Sequence, residues 1–189
     1  GPDPADPFSN YAPAVDLTLP SSPSLSGLRL GVFRPGFEDA APEVVDRCKG
    51  VLNHLTSMGA QTVEIEIPEL ELIGPVHVVT IVSEMAAAFD QHYAEHRTHF
   101  ALDTRLNLAL GRRLSAADFV NAQRIRNRIL DHFERIMENV DLIVTPTTAI
   151  TAPLYPLDAI PNGESDMDKT LAIMRFVQAG NLTGFPAIS

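Results

Sequence analysis

Asp141-Leu142-Ile143-Val144-Thr145-Pro146-Thr147-Thr148-Ala149-Ile150-Thr151-Ala152-Pro153 is the stretch whose reading decides the fold. Leu142 to Val144 is a short apolar run, which predicts a strand buried on both faces. Pro146 has no backbone N–H to donate to a ladder, so the strand stops there. Hydroxyls crowd the residues around and beyond it: Thr145, Thr147, Thr148 and Thr151, with Ala149 and Ile150 among them. Two readings fit this pattern. One is a strand followed by an ordinary Thr/Pro turn. The other is a ligand loop at the end of a buried strand, the place where α/β proteins build their sites.

Outward from that stretch, the N-terminal side supplies its partners. Residues 1–27 carry Pro2, Pro4, Pro7, Pro13, Pro20 and Pro23 with Ser21, Ser22, Ser24 and Ser26, and are expected to form an extended connector. Leu28 to Phe33 reads as a strand closed by Arg34-Pro35-Gly36. A helix begins near Pro42, with Val45, Cys48, Leu52 and Leu55 at helical spacing and Gly59 as its left-handed stop. Thr62 to Ile67 then alternates strictly, with Val63, Ile65 and Ile67 on one face. Strand, helix, strand is a βαβ unit with a right-handed crossover.

From Gly74-Pro75 a helical stripe is expected through Val78, Val79, Val82, Met85, Ala86 and Phe89, although Val76 to Val82 also has the look of a buried strand. A shorter helix runs from Asp103 to Leu110. Ser115 and Asp118 form a capping-box pattern that starts the longest helix, to about Asn139, with Val120, Ile125, Ile129, Phe133, Ile136 and Met137 inward. Its outer face, with Arg124, Arg126, Arg128 and Arg135, reads as solvated. Beyond the central stretch, Asp158 to Asp168 is polar and turn-rich. Asp168 is expected to cap a last helix with Leu171, Met174 and Val177 toward the core, which turns at Asn181 to Pro186 into a final strand.

Composition bounds the rest. A chain of 189 residues, 45% hydrophobic and 20% charged, suits one globular domain. A net charge of -10 argues against a nucleic-acid partner, which needs clustered excess Lys and Arg. Cys48 is the single cysteine, so an internal disulfide and a Cys-based metal site are both excluded. No apolar run approaches the roughly 20 residues of a membrane span, and no signal-peptide pattern is read in the first residues. Gly1-Pro2 and the apolar run up to Ser189 both read as cut ends, so a piece of a longer protein is expected.

The residues alone hold no complete catalytic constellation. There is no Gly-x-Ser-x-Gly elbow and no phosphate-cradling glycine loop. Lysine occurs only at Lys49 and Lys169, neither in an apolar setting that would make it a base. Cys48 lies in a helical core stripe and reads as structural. Glu64/Glu66 and Glu69/Glu71 are evenly spaced carboxylates of a solvent face. His92, His96 and His99 have metal-capable spacing, but they lie past the apolar stripe among Gln91, Glu95 and Arg97, so a wet helix end is the plainer reading. His54, His77 and His132 are isolated and read as satisfied polar groups.

Several blocks share one pattern: Val140 to Thr148, Thr151-Ala152-Pro153, Asn162-Gly163-Glu164, Met174-Arg175-Phe176-Val177, and Asn181-Leu182-Thr183-Gly184-Phe185-Pro186-Ala187-Ile188-Ser189. Together they resemble the carboxyl-terminal half of the amidase-signature enzymes, and among these the plant-type fatty acid amide hydrolases. Ile67 to Glu71, His77 to Ile81, Asp103-Thr104-Arg105 and Ala122 to Arg126 are similar to that group as well, so the resemblance spans about residues 28–189.

The resemblance implies an α/β fold, a mixed central β-sheet covered by helices on both sides, of which residues 28–189 supply the carboxyl-terminal portion. It implies an amide hydrolase working through a Ser, a Ser held by a cis peptide and a Lys, all upstream of this chain, with no cofactor and no metal. Thr145, Thr147, Thr148 and Ile150 are then expected to wall the substrate channel, with Met174, Val177 and Asn181 on the last helix as further lining, since an acyl chain needs apolar, adaptable surfaces. The implied partners are a small-molecule amide and the missing amino-terminal catalytic half. Membrane association, a homodimer and an intracellular location stay open. A fatty acid amide or N-acylethanolamine is the first substrate reading. A short amide, or glutamine in an amidotransferase subunit, is the second. A non-catalytic α/β binding module using the Thr loop is the third.

Overall fold

The computed structural model describes residues 2–5, 9, 18, 24–154 and 166–189. Most of the expected connector at 1–27, the Asn162-Gly163-Glu164 block and most of the turn-rich Asp158–Asp168 segment lie outside the described residues.

The βαβ unit forms as read. β1 (Arg29–Val32) leads through the short α1 (Arg34–Phe37) into α2 (Pro42–Ser57), with Pro42 in the first turn, and Gly59 closes it at a φ of 107°. β2 (Gln61–Glu64) then pairs parallel to β1. A helical stretch comes next: α3 (Leu70–Ala88), α4 (Asp90–His96) continued by a short 3-10 turn at Arg97–His99, α5 (Leu102–Gly111) and α6 (Ala116–Met137). β3 (Leu142–Ile143), α7 (Met167–Met174) and α8 (Val177–Thr183) complete the order.

The strands form one parallel sheet in the order β2-β1-β3. Leu30 stands opposite Thr62 and Leu142, and Gly31 opposite Val63 and Ile143. Parallel partners in register share a face. On one face α2 brings Leu52 and Thr56 beside Val32 and Thr62; on the other α6 brings Ile136 beside Val63. Helices therefore cover both faces, as the fold class requires. Asp141 pins β3 to β1: its carboxylate accepts from the Arg29 backbone and from Arg29 Nη2, both at 2.8 Å, which holds the carboxyl below its usual pKa. Leu142 corrects the expectation of a strand buried on both faces. It is 51% exposed, because β3 is an edge strand with one neighbour in the described sheet.

The helical core gathers Ile73, Val76, Ala122, Ile129, Phe133 and Leu182, and Ile143 packs onto it. α3 starts earlier than Gly74-Pro75, and Pro75 sits inside it. Its buried face is Ile73, Val76, His77, Val82 and Ala86; Phe89, expected inward, is exposed. The reason is that α3 packs against α5, α6 and α8 at once, which a single stripe does not serve. α3 is also long and apolar enough to cross a membrane by length and composition, contrary to the sequence expectation, because Glu71 and Glu84 are its only charged residues. Here it serves as the central helix of the core. At Gly111 the α5 backbone lies against the Val82 carbonyl, and any Cβ there would sit 2.9 Å from the Ala86 Cβ.

α6 begins with the expected capping box: Ser115 Oγ accepts from the Asp118 N–H, and the Asp118 carboxylate accepts from the Ser115 N–H at 2.8 Å. Ala122, Ile129 and Phe133 are its buried positions, while Val120 is exposed, being two residues and so roughly 200° around the helix from Ala122. Arg124, Arg128 and Arg135 are exposed as expected, although Arg128 also binds both Glu69 carboxylate oxygens, at 2.7 and 3.1 Å; Arg126 departs, being half-buried and donating to the Leu182 carbonyl. Glu69 is the one non-glycine residue of positive φ among those described, at 57°, and His132 Nε2 lies 3.2 Å from its carboxylate.

The expected last helix is broken in two at Arg175–Phe176, and Asp166, not Asp168, caps it by accepting from the Lys169 N–H. Leu171 and Val177 are exposed; the residues that reach the core are Gln178, Leu182 and Thr183 on α8. The break resets the helical phase, which moves the buried face off the predicted stripe. Residues 184–189 form no strand. A strand there needs a neighbouring strand to pair with, and none lies beside it among the described residues.

Candidate active-site wall

The three strands among the described residues run parallel, so their carboxyl ends open on one edge of the sheet, where α/β folds place ligands. The Thr loop leaves from that edge. Val144 N–H donates to the Gly31 carbonyl at 2.9 Å, extending the ladder one residue past β3, and the fully buried Pro146 then ends it. Thr145 and Thr147 face solvent. Thr148 is half-buried, and its Oγ1 donates to the Ile150 carbonyl at 2.8 Å, which closes a tight turn around Ala149.

Ala149 is the hub of this edge, 2% exposed. Its carbonyl accepts from the Ala41 N–H at 2.7 Å, and its own N–H donates to the Ala172 carbonyl at 3.1 Å. Ala172 lies in the last turn of α7, whose carbonyls have no intrahelical partner. The loop thus satisfies a helix end while tying the β1–α2 connection to α7. Arg175, just past α7, reaches back to Asp39, donating to its carbonyl at 2.7 Å and pairing with its carboxylate at 2.6 Å.

Of the seven residues expected to line a channel, Thr145, Thr147, Thr148 and Ile150 sit together on this loop. Met174 is half-buried at the end of α7, two residues beyond the Ala172 tie. Val177 and Asn181 lie past the Arg175–Phe176 break, on exposed positions of α8. α8 ends at Gly184, whose φ of 80° is the left-handed closure. Ala149, Arg175 and Asp39 were missed by sequence reasoning. Ala149 offers no signal in sequence. Arg175 does, as a lone charge inside the apolar run Met174 to Val177.

The other reactive side chains sit away from this wall or are already engaged. Lys169 is paired with Asp166 at 3.0 Å, and that contact holds the Asp166 carboxyl low; Lys49 is paired with Glu38 at 2.8 Å. Cys48 is half-buried and burial pushes its thiol up, away from the nucleophilic thiolate. His96 and His99 stack at 5.5 Å on an exposed turn, and among the described residues no group of three His, Cys, Asp or Glu is placed to hold a metal. Two surface grooves, one between β2 and α6 and one between the β1–β2 ends and α2, contain none of the seven residues.

Comparison with known proteins gives this geometry a context. The Amidase family model matches residues 1–189. The chain is 40% identical over 176 residues to a fatty acid amide hydrolase of Arabidopsis thaliana, covering 92% of this chain and 29% of that protein. It is 30% identical over 190 residues to an amidase of Pseudomonas putida, covering 99% of this chain and 41% of that one. A crystal structure of an amidase superposes with a TM-score of 0.72 at 21% identity, over 86% of this chain and 37% of that chain, a likeness of fold. The chain therefore spans about three tenths of the length of the plant relative it matches.

Proposed function

The chain belongs to the amidase family, and from that premise we propose that it is the carboxyl-terminal, channel-forming part of an amide hydrolase acting on fatty acid amides or N-acylethanolamines. Residues 28–189 belong, in this reading, to one domain whose amino-terminal half carries the Ser, cis-Ser and Lys. The first serine attacks the amide carbonyl, the amine leaves with a proton relayed from the serine hydroxyl, and water then releases the fatty acid from the acyl-serine. Backbone N–H groups hold the oxyanion. No residue of this chain is assigned to those steps. Its part is to bind the acyl group along Thr145, Thr147, Thr148 and Ile150, with Met174, Val177 and Asn181 as further lining.

The observation that carries the reading is the clamped loop at the carboxyl ends of the parallel strands, which carries apolar Ile150 among its threonines and is tied through Ala172 to α7, the helix that ends at Met174. The higher identity to the plant fatty acid amide hydrolase than to the Pseudomonas amidase favours the long-chain substrate over short amides and glutamine. The test is hydrolysis by the full-length protein of a long-chain acyl amide, a short-chain amide and glutamine, side by side. A kcat/KM for the long-chain substrate at least about tenfold above the others, the scale of a single methylene in an apolar pocket, supports it. Preference for glutamine or the short amide overturns the substrate. Residues 28–189 alone are expected to be inactive.

A further inference from the structure

We propose that Arg175 is a positioning residue, which locks the joint between α7 and α8 to the segment ahead of α2 and thereby sets the width of the candidate acyl channel. The activity part of this inference rests on the amide-hydrolase reading.

Four contacts close a ring through three segments far apart in sequence. Asp39 accepts from Arg175 through both its carbonyl and its carboxylate. Two residues on, the Ala41 N–H donates to the Ala149 carbonyl. The Ala149 N–H donates to the Ala172 carbonyl, and Ala172 lies three residues before Arg175, in the last turn of α7. The links through Ala149 join backbone to backbone, and substitution leaves their donors and acceptors in place. Arg175 is the side chain that closes the circuit.

Its geometry fits positioning better than stability. The Arg175 side chain is 42% exposed and that of Asp39 66%, so the ion pair itself adds little to folding free energy. The donor to a backbone carbonyl fixes a direction as well as a charge. Arg175 also stands at the joint where the chain breaks from α7 into α8, so a rotation there moves Val177 and Asn181 relative to α7 and the loop bonded to it. With the ring open, α7 keeps its backbone bond to Ala149 but loses the side-chain tie to Asp39, and the proposed spacing between α8 and the Thr loop is no longer held from this side.

The experiment compares Arg175→Gln and Arg175→Lys with the unaltered full-length protein. For Arg175→Gln, KM for a long-chain acyl amide rises about tenfold, the size of one lost hydrogen bond to a charged group, with kcat and the melting temperature little changed. Arg175→Lys, which keeps the charge and a single donor centre, recovers part of the loss. A second readout needs no substrate: amide hydrogen exchange at Ala149 quickens in Arg175→Gln. Unchanged exchange at Ala149 overturns the proposal, as does a fall of kcat together with the folded fraction, which is the mark of a merely structural role. If the unaltered protein hydrolyses no amide, the amidase reading has failed, and the exchange measurement alone then decides whether Arg175 closes the ring.

Discussion

In the block formed by α3, α5 and α6, Leu108 and Ile129 expose no surface, whereas along the strand-end wall Thr145, Thr147 and Asn181 stand in solvent and Ala149 is held by backbone hydrogen bonds. The block is positioned by burial. Its helices fit closely enough that a Cβ at Gly111 has no room, and each large side chain touches several neighbours, so small displacements are opposed from many sides. The wall is positioned by a few directed contacts across long sequence separations. Such contacts hold a shape without filling a core, which leaves surface for a ligand.

The largest expected effect tests whether the two regions unfold together. Ile129→Ala, at a fully buried site in the core shared by α3, α6 and α8, should cost about 3 kcal/mol in chemical denaturation. Leu182 on α8 belongs to the same core, so amide exchange in the wall should quicken along with that of the block. If the block is weakened while exchange at Ala149 stays as it was, the wall is an independent unit, and the contrast between the two becomes a boundary.

The next effect is on pH dependence and tests the block, where burial and not pairing shifts one of the titrating groups. His77 on α3 is 6% exposed, and burial depresses its pKa below the usual histidine value. Its unfolded form therefore takes up a proton first as pH falls below about 6.5, so stability rises with pH up to that value and declines below it. Glu69 and Asp141, held low chiefly by Arg128 and Arg29, contribute stability present above the unfolded carboxylate value and lost as pH falls through their lowered folded values. Acid unfolding should thus show an early decline that sets in below roughly pH 6.5 and a second below roughly pH 4. His77→Gln should remove the first and leave the second, as read from the denaturation midpoint across pH. A first decline that survives the substitution would place the responsible histidine elsewhere.

Legibility in the sequence divides along the same line. β1, α2, β2 and the Ser115 capping box were readable because their signals are local: alternation, helical spacing, a proline at the first turn, a glycine at the stop. The position of the Thr loop at a strand end was readable from the Pro146 stop. The phase of α3 was not, since three neighbours share its surface. Nor was the break at Arg175–Phe176, which no Gly or Pro announces. The left-handed Glu69 is invisible in sequence because Arg128 and His132, the groups beside its carboxylate, lie about 60 positions away. Directed long-range contacts carry no periodicity, and the wall is built from them.

The smallest expected effect bears on the wall alone. Thr148→Val keeps the β-branched shape and removes only the Oγ1 donor to the Ile150 carbonyl. Ile150 is only half-buried, so water replaces the lost donor and the stability cost stays at or below about 1 kcal/mol. The turn around Ala149 should loosen, and Ile150 with it. In the full-length protein this should raise KM for a long-chain acyl amide two- to threefold, about 0.5 kcal/mol, and leave a short-chain amide unaffected, while Thr148→Ser, which retains the hydroxyl, should match the unaltered protein. Equal losses for both chain lengths would mean that the loop acts near the scissile amide and not along the acyl chain. The wall would then still be separate from the packed block, but its hydroxyls, not its apolar groups, would be the part that meets the substrate.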